Sequence, residues 1–252
     1  MMVATGAAVW PRPAATLMLV RDRGSRHDAL EVLLVQRNLR SVFAQGAHVF
    51  PGGAVDAADG DPLLAQYCTG LDDIRASERL GLQGGGLAYW VAAIRECFEE
   101  AGILLASDRD GNLLSLSDPA TAARFAGHRD AMRRGERRLL EVCRDEELAL
   151  ATDCLHYVAH WITPVGPPRR FDTRFFVALA PQGQAASHDA GETIADEWVV
   201  PQEALERSRQ GQIEILRPTA HNLGILEGFS NVAALLQSVD TIDVTIEPHD
   251  LS

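Results

Sequence analysis

The chain contains no lysine, so all 23 of its basic residues are arginines. This absence excludes a lysine nucleophile, a Schiff base and the phosphate-binding lysine of a P-loop. Cysteine is scarce as well: there are four residues and none forms a CxxC pair, so neither a zinc ribbon nor a disulfide framework is predicted. We therefore expect reduced thiols, as in a cytoplasmic protein.

Long apolar runs are also missing, because no stretch reaches the length that spans a membrane. The first residues, Met1–Pro13, lack the basic-then-apolar order of a signal peptide. The net charge of −12 argues against a nucleic-acid duplex or an anionic membrane as the main partner. A small anionic substrate stays compatible with this charge, since a bound divalent cation inverts the local field.

The order of the predicted elements indicates the fold class. With 46 % hydrophobic residues the chain can bury a sizeable core. Strands precede, interrupt and follow the helices without regular βαβ alternation, which favours an α+β protein, an α/β/α sandwich with a mixed sheet flanked by helices. The predicted strands are Ala15–Arg21, Glu31–Arg37, Leu155–Thr163, Phe171–Ala180 and Asp196–Val200, and the predicted helices include Leu87–Gly102, Gln202–Gln210 and Thr219–Val239.

One predicted helix carries three carboxylates on a single stripe. Glu96, Glu99 and Glu100 stand at i, i+3 and i+4, opposite the apolar face that runs from Leu87 to Phe98. Carboxylates this close repel each other unless a hard divalent cation such as Mg²⁺ or Mn²⁺ neutralises them. The alternative is a solvated acidic face, which is common for such a spacing.

Two neighbouring features favour the metal interpretation. Arg95 is placed to pair with an adjacent carboxylate, and Pro51-Gly52-Gly53 forms a turn whose backbone can approach a metal or phosphate closely. Gly53 and the run from Arg95 to Ile103 (RECFEEAGI) together resemble the Nudix box, G-x5-E-x7-R-E-U-x-E-E-x-G-U, with U an aliphatic residue. Cys97 stands at one of the aliphatic positions.

The spacing inside the box departs from the usual pattern. Gly53 and Arg95 are 42 residues apart instead of the usual 14, so 28 residues are inserted. Counting forward from Gly53 reaches Asp59, whereas counting back from Arg95 reaches Leu87, so the middle acid of the box has no single counterpart. Asp56 and Asp59 are the two candidates for its orienting role. The resemblance implies a single Nudix domain over residues 1–252, with an insertion at about 54–86 inside the box and a helical insertion at about 117–150.

With its long insertion inside the box, the chain resembles the coenzyme A diphosphatase-like branch of the family. Further segments that resemble this branch are Phe50–Asp56, Trp161–Pro164 and Arg169–Phe176 (RRFDTRFF). An upstream motif of the same branch is matched at Arg37, whereas its second arginine position falls on Val42.

The resemblance implies hydrolysis of a diphosphate bond with Mg²⁺ or Mn²⁺ as the cofactor. Glu96, Glu99 and Glu100 would hold the metal together with the Gly53 carbonyl, and Arg95 would orient Glu96. Glu99, Glu100 and Arg95 are thus predicted catalytic residues.

Other candidate site residues lie outside the box. Glu192, in a Gly-flanked stretch, is a candidate general base, with a plain surface role as the alternative. Arg37, Arg170 and Arg174 are candidate phosphate contacts, with pairing to surface carboxylates as the alternative.

The expected substrate is coenzyme A or acyl-coenzyme A, giving 3′,5′-ADP and (acyl-)phosphopantetheine. An ADP-ribose, NADH or nucleotide-sugar pyrophosphatase is the alternative that Val42 motivates. A non-catalytic Nudix-fold module is a second alternative, although all three carboxylates of the box are present. A homodimer is compatible with the resemblance, because dimerisation is common in the family.

Overall fold

The computed structural model describes residues 9–24, 29–38, 45–188 and 193–247. Its strands and helices follow one another without regular alternation, as the sequence predicts. The strands are β1 (Arg12–Asp22), β2 (Leu30–Arg37), β3 (His48–Val49), β4 (Gly52–Ala54), β5 (Ala106–Ser107), β6 (Ala149–Leu150), β7 (His156–Ile162), β8 (Phe171–Leu179), β9 (Thr193–Val199) and β10 (Ile246–Glu247). The helices are α1 (Pro62–Ala65), α2 (Asp73–Leu80), α3 (Leu87–Ala101), α4 (Pro119–Arg133), α5 (Leu139–Glu146), α6 (Pro201–Arg209), α7 (Arg217–Glu227) and α8 (Val232–Ser238).

Eight of the strands form one mixed sheet around β1. The order is β10-β7-β8-β1-β2-β3, with β4 also paired to β1 and β9 also paired to β2. The β1–β8 pair is parallel, whereas β1–β2, β1–β4, β2–β9 and β7–β8 are antiparallel. This mixed sheet flanked by helices confirms the predicted α+β class.

The sheet buries both of its faces, which explains the nearly continuous apolar runs of its central strands. Along β1, Leu17 and Leu19 belong to the core shared with α3, while Met18 and Val20 belong to the core shared with the C-terminal helices. All four side chains are 0 % exposed. Side chains of successive residues point to opposite faces of a strand, so β1 supports both layers of the α/β/α sandwich.

The first predicted insertion contains structure that supports α3. It holds a 3₁₀ turn (Ala57–Gly60), α1 and α2. From α2, the Asp73 carboxylate accepts hydrogen bonds from the backbone N–H groups of Gly85 and Leu87 (both 3.0 Å), and the Ser77 hydroxyl accepts one from Gly86 (2.9 Å). The bonds to Gly86, the N-cap residue, and to Leu87 satisfy N–H groups that a helix leaves unpaired at its start. The second predicted insertion contains α4 and α5. The single-domain interpretation stays a prediction.

The last predicted helix, Thr219–Val239, is divided in the structure. Helix α7 ends at Glu227, and the side chain of Asn231 then accepts a hydrogen bond from the Ala234 N–H (2.8 Å) to begin α8. An Asn at this position competes with the backbone and so favours a new helix start over continuation.

In the described ranges no helix combines the length and apolarity needed to cross a membrane. All four cysteines are free thiols. The cytoplasmic location and the homodimer stay predictions.

Candidate active site

The carboxylate-bearing helix α3 is enclosed on almost all sides. Its apolar face packs on the sheet as predicted: Trp90 and Ile94 are 0 % exposed. The opposite side is covered too, since Arg95 is 9 % and Glu100 is 5 % exposed. The helix ends at Gly102, whose φ of 71° suits a left-handed cap. The stripe is therefore not the solvated acidic face that the alternative interpretation required.

The Pro-Gly-Gly turn lies directly against this stripe. The Gly52 N–H donates a hydrogen bond of 3.0 Å to the Glu100 carboxylate. A Cβ atom on Gly53 would lie 2.5 Å from the carboxyl carbon of Glu96. At Gly53 the Glu96 carboxylate would have to move, whereas a Cβ on Gly52 would lie 2.6 Å from the Ala15 carbonyl oxygen and 2.7 Å from the Thr16 Cα, so the backbone of β1 requires glycine there. The two halves of the box meet in space although Gly53 and Arg95 are 42 positions apart.

Arg95 is the centre of an ion-pair network that joins these halves. Its Nε donates to Asp59 Oδ1 at 2.8 Å and its Nη2 donates to Asp59 Oδ2 at 2.9 Å. It also donates to Glu96 Oε1 (2.8 Å) and to the Ala54 carbonyl (2.9 Å). Asp56 approaches only to 3.9 Å and keeps 62 % of its side chain exposed, against 1 % for Asp59. Of the two acids that the sequence offers for the middle position of the box, Asp59 is thus the buried ion-pair partner of Arg95.

Burial and neighbouring charges shift the pKa values of this network. Burial by itself lowers the pKa of Arg95, but hydrogen bonding and the charges of Asp59 and Glu96 raise it above its ordinary value. Burial raises the pKa of Glu96 to about 7, against the lowering effect of Arg95 and with a further rise from Glu99. Burial and the charge of Glu99 therefore disfavour the ionised form of Glu96, and Arg95 offsets this only in part.

The donor set fits a hard divalent cation in its chemistry. Carboxylate oxygens of Glu96, Glu99 and Glu100 and a backbone carbonyl of the Gly53 turn are the ligand types that Mg²⁺ and Mn²⁺ prefer. A cation would also favour the ionised form of the buried Glu96 carboxyl. In the described part of the chain, no three His, Cys, Asp or Glu side chains already surround a common point. The present bonds of Glu96 to Arg95 and of Glu100 to Gly52 would have to rearrange around a metal.

A second arginine, which sequence reasoning missed, holds the C-terminal end of α3. Arg129 of α4 is 8 % exposed and donates from Nε to the Glu99 carbonyl at 2.9 Å. It also donates to the Ser187 hydroxyl (2.9 Å) and the Ser187 carbonyl (2.8 Å). The Thr193 hydroxyl bonds the Glu100 carbonyl at 3.4 Å. Nothing in the charged sequence of α4 distinguished Arg129 from a surface residue, since the contact depends on how α4 packs.

The candidate general base, Glu192, lies outside the described residues, as does Val42. The segments on either side of Glu192 are anchored to α3, since the Ser187 N–H donates to the Ala101 carbonyl (2.9 Å) and the Thr193 hydroxyl donates to the Glu100 carbonyl (3.4 Å). Arg37 ends β2 at the register position of Thr193, and its Nε is buried without a hydrogen-bond partner in the described ranges. Arg37 therefore keeps an unused donor close to this end of α3.

The other two candidate phosphate contacts are engaged within the protein. Arg174 is 4 % exposed, pairs with Asp172 and His160, and lies with its guanidinium carbon 5.6 Å from the Tyr89 ring centre. Arg170 donates to two backbone carbonyls, those of Thr163 and Val9, both at 2.9 Å. These contacts favour the alternative of internal pairing, because the buried Arg174 side chain is already paired with the Asp172 carboxylate. Substrate binding by Arg170 and Arg174 stays a prediction.

Comparison with known proteins is consistent with this geometry. The NUDT19 Nudix domain family model matches residues 75–226, more than half of the chain. This chain belongs to the Nudix hydrolases. The acyl-coenzyme A diphosphatase NUDT19 of Gallus gallus is 32 % identical over 88 % of this chain and 69 % of its own length. The Homo sapiens protein of the same name is 28 % identical over 91 % of this chain and 68 % of its own length.

A solved Nudix hydrolase supports the same fold. The protein from Alicyclobacillus acidocaldarius is 27 % identical and superposes with a TM-score of 0.72, covering 92 % of this chain and 98 % of that one. Nudix hydrolases generally use divalent metal ions, which agrees with the oxygen-rich donor set beside α3. The family model matches the chain only from residue 75 onward and so does not include Gly53 or Asp59. The assignment of these two residues to the first half of the box therefore depends on the contacts seen in the structure.

Proposed function

We propose that this Nudix hydrolase is a coenzyme A or acyl-coenzyme A diphosphatase that releases 3′,5′-ADP and (acyl-)phosphopantetheine. The observation that carries the proposal is the closed Nudix box, in which the turn at Gly53 meets Glu96 and Glu100 despite the long insertion. The relatives named acyl-coenzyme A diphosphatase, at 28 % and 32 % identity over most of the chain, support the substrate class.

The cofactor in this proposal is Mg²⁺ or Mn²⁺. Glu96, Glu99 and Glu100 would hold it, with the Gly53 carbonyl as a further ligand. When bound, such an ion supplies neutralisation of diphosphate charge and activation of water for attack on phosphorus. The protein supplies the fixed geometry: Arg95 orients Glu96 through the 2.8 Å hydrogen bond, and Asp59 fixes Arg95.

The remaining roles follow from charge and position. Glu192 is the proposed general base, on the segment between the two anchors at the end of α3. Of the three candidate arginines, Arg37 is the best supported as a phosphate-binding residue, because its guanidinium has an unused donor that can bind an anionic oxygen. Arg170 and Arg174 would have to exchange internal bonds for a phosphate.

A substrate panel tests the proposal. Purified protein is incubated with Mn²⁺ or Mg²⁺ and coenzyme A, an acyl-coenzyme A, ADP-ribose, NADH or a nucleotide sugar, and products are separated by liquid chromatography. We expect 3′,5′-ADP from the coenzyme A substrates at the highest kcat/KM. Absence of turnover of both coenzyme A substrates at micromolar enzyme would rule the proposal out. A clear preference for ADP-ribose, NADH or a nucleotide sugar would favour the alternative pyrophosphatase.

A matched pair of variants tests the metal role. Glu100→Gln keeps the oxygen that accepts from Gly52 but removes the charge, and we expect kcat to fall by roughly 100-fold or more, since metal-ion stabilisation contributes several kcal/mol. Glu78→Gln changes an exposed glutamate of α2 and controls for loss of charge elsewhere. Full activity in Glu100→Gln would contradict the ligand assignment.

A further inference from the structure

A cavity of about 230 Å³ opens beside the carboxylate stripe, between the two insertions; we term it the insertion pocket. Its floor includes Glu99 and Arg95 of α3. One wall comes from the insertion inside the box, including Leu64, and the opposite wall comes from the α4–α5 region. The pocket therefore begins at a proposed metal ligand and is bounded by segments that interrupt the ordinary Nudix pattern.

Two arginines of the α4–α5 wall have hydrogen-bonding capacity to spare. Arg138 is exposed, lines the pocket and forms no ion pair with any residue in the described ranges. Arg137 donates from Nη2 to Asp145 (2.5 Å), while its Nε is buried without a partner. A guanidinium offers five N–H donors, in a planar arrangement that matches phosphate oxygens.

The three carboxylates of the other wall are ion-paired, hydrogen-bonded to the backbone or turned to solvent, respectively at Asp59, Asp61 and Asp56. Asp59 accepts hydrogen bonds from the Nε and Nη2 donors of Arg95. Asp61 accepts from the Leu63 N–H (2.9 Å) at the start of α1, and Asp56 turns most of its side chain to solvent. The pocket is thus negative at the α3 carboxylates and positive at the α4–α5 wall. A cation bound at Glu99 would reverse the sign of the negative end, so that the whole pocket attracts anions.

Between these ends the lining is apolar. Leu64, Met132 and Leu139 line the pocket and are 2 %, 6 % and 3 % exposed. Such a lining suits a sugar or base, whereas the arginines suit a terminal anion. In coenzyme A, the diphosphate and a 3′-phosphate are attached to the same ribose. A diphosphate held by a metal ion at Glu99 would therefore leave the 3′-phosphate only a few bonds away, next to a pocket whose lining includes Arg137 and Arg138.

We propose that the insertion pocket binds the nucleotide half of the substrate, with Arg138 and Arg137 contacting the ribose 3′-phosphate. This inference rests on the proposed function and adds a specificity site to it. It gives the two insertions a common role: one contributes the apolar wall beside the Asp59–Arg95 pair, and the other contributes the phosphate contacts.

Dephospho-coenzyme A, which has the same diphosphate but lacks the 3′-phosphate, isolates this contact. We expect the wild-type protein to prefer coenzyme A in kcat/KM by roughly tenfold or more, the usual worth of a hydrogen bond to a charged group. Arg138→Ala should lower kcat/KM for coenzyme A by about tenfold and leave that for dephospho-coenzyme A unchanged, with Arg137→Ala acting in the same direction. Arg134→Ala is the control, since Arg134 is in the same turn but pairs with Glu136 (2.8 Å).

A binding measurement separates failure of this inference from failure of the proposed function. Calorimetry with adenosine 3′,5′-bisphosphate and with AMP needs no turnover; the bisphosphate should bind more tightly, and Arg138→Ala should abolish the difference. Equal binding of both ligands, equal rates on both coenzyme A forms, or equal losses on both in Arg138→Ala would overturn the inference. No turnover together with Arg138-dependent binding of the bisphosphate would refute the proposed function and leave the pocket assignment standing.

Discussion

Replacing Asp59 by Asn tests whether one ion pair holds the interrupted Nudix box together. The substitution keeps the shape of the side chain but removes the charge that faces Arg95 Nε and Nη2 at 2.8 and 2.9 Å. Both side chains are largely buried, at 1 % and 11 % exposure, so solvent screens this pair weakly. The same carboxylate accepts the Asp56 N–H (2.8 Å), and the Asn oxygen can keep that bond.

The expected loss of stability follows from the remaining partners of Arg95. Removing one member of a buried ion pair costs about 3–5 kcal/mol. Arg95 keeps Glu96 and the Ala54 carbonyl, so we expect the lower end, about 3 kcal/mol. For a chain of this size that loss lowers Tm by roughly 6–12 °C. Because Arg95 also orients Glu96, kcat should fall by about 10–100-fold, as for partners that orient metal ligands.

The assay is a thermal unfolding scan with steady-state kinetics at saturating metal. Asp56→Asn is the matched control, because its side chain is 62 % exposed and its 3.9 Å contact with Arg95 is that of a surface pair, worth about 0–1 kcal/mol. Equal Tm losses in Asp59→Asn and Asp56→Asn would refute the assignment of Asp59. Wild-type kcat in Asp59→Asn would refute the coupling through Arg95.

Two further substitutions test the contacts of the turn and of the helix end. Gly53→Ala places a Cβ 2.5 Å from the Glu96 carboxyl carbon, so we expect kcat to fall by roughly tenfold or more. The control is Gly84→Ala, where a Cβ would meet no atom within 4 Å and kcat should stay unchanged. Similar losses of kcat in both variants would contradict the close approach of Gly53 to Glu96. Arg129→Ala removes three hydrogen bonds to Glu99 and Ser187 carbonyl and hydroxyl groups, so Tm should fall by about 4–12 °C, from about 2–3 kcal/mol. Arg129→Lys should recover part of the Tm in the same scan, and no recovery would show that the cavity, not the bonding, matters.

The local geometry of the box could be predicted because it depends on short spacings. The i, i+3, i+4 pattern of Glu96, Glu99 and Glu100 specifies one stripe on any helix, and the apolar period of the same segment specifies which side faces the sheet. The two-sided burial of β1 and β8 is likewise visible in their continuous apolar runs. The order of the elements then sufficed for the fold class.

The partners of the charged side chains could not be predicted in the same way. Asp56 and Asp59 are equally available in the sequence, and only the 3₁₀ turn from Ala57 to Gly60 directs Asp59 inward and Asp56 outward. For Arg174, sequence reasoning weighed phosphate and carboxylate equally, and the structure shows a carboxylate, Asp172, on the same strand face.

The sequence alone therefore determined the fold class and the carboxylate stripe between Arg95 and Gly102, because helical and strand periodicities are properties of neighbouring residues. The tertiary structure decided which acid pairs with Arg95, that Arg129 holds the end of α3, and that the two insertions enclose a pocket with Arg137 and Arg138 in its wall. These contacts join residues tens of positions apart, and the path of the chain between them is set by packing of the whole core.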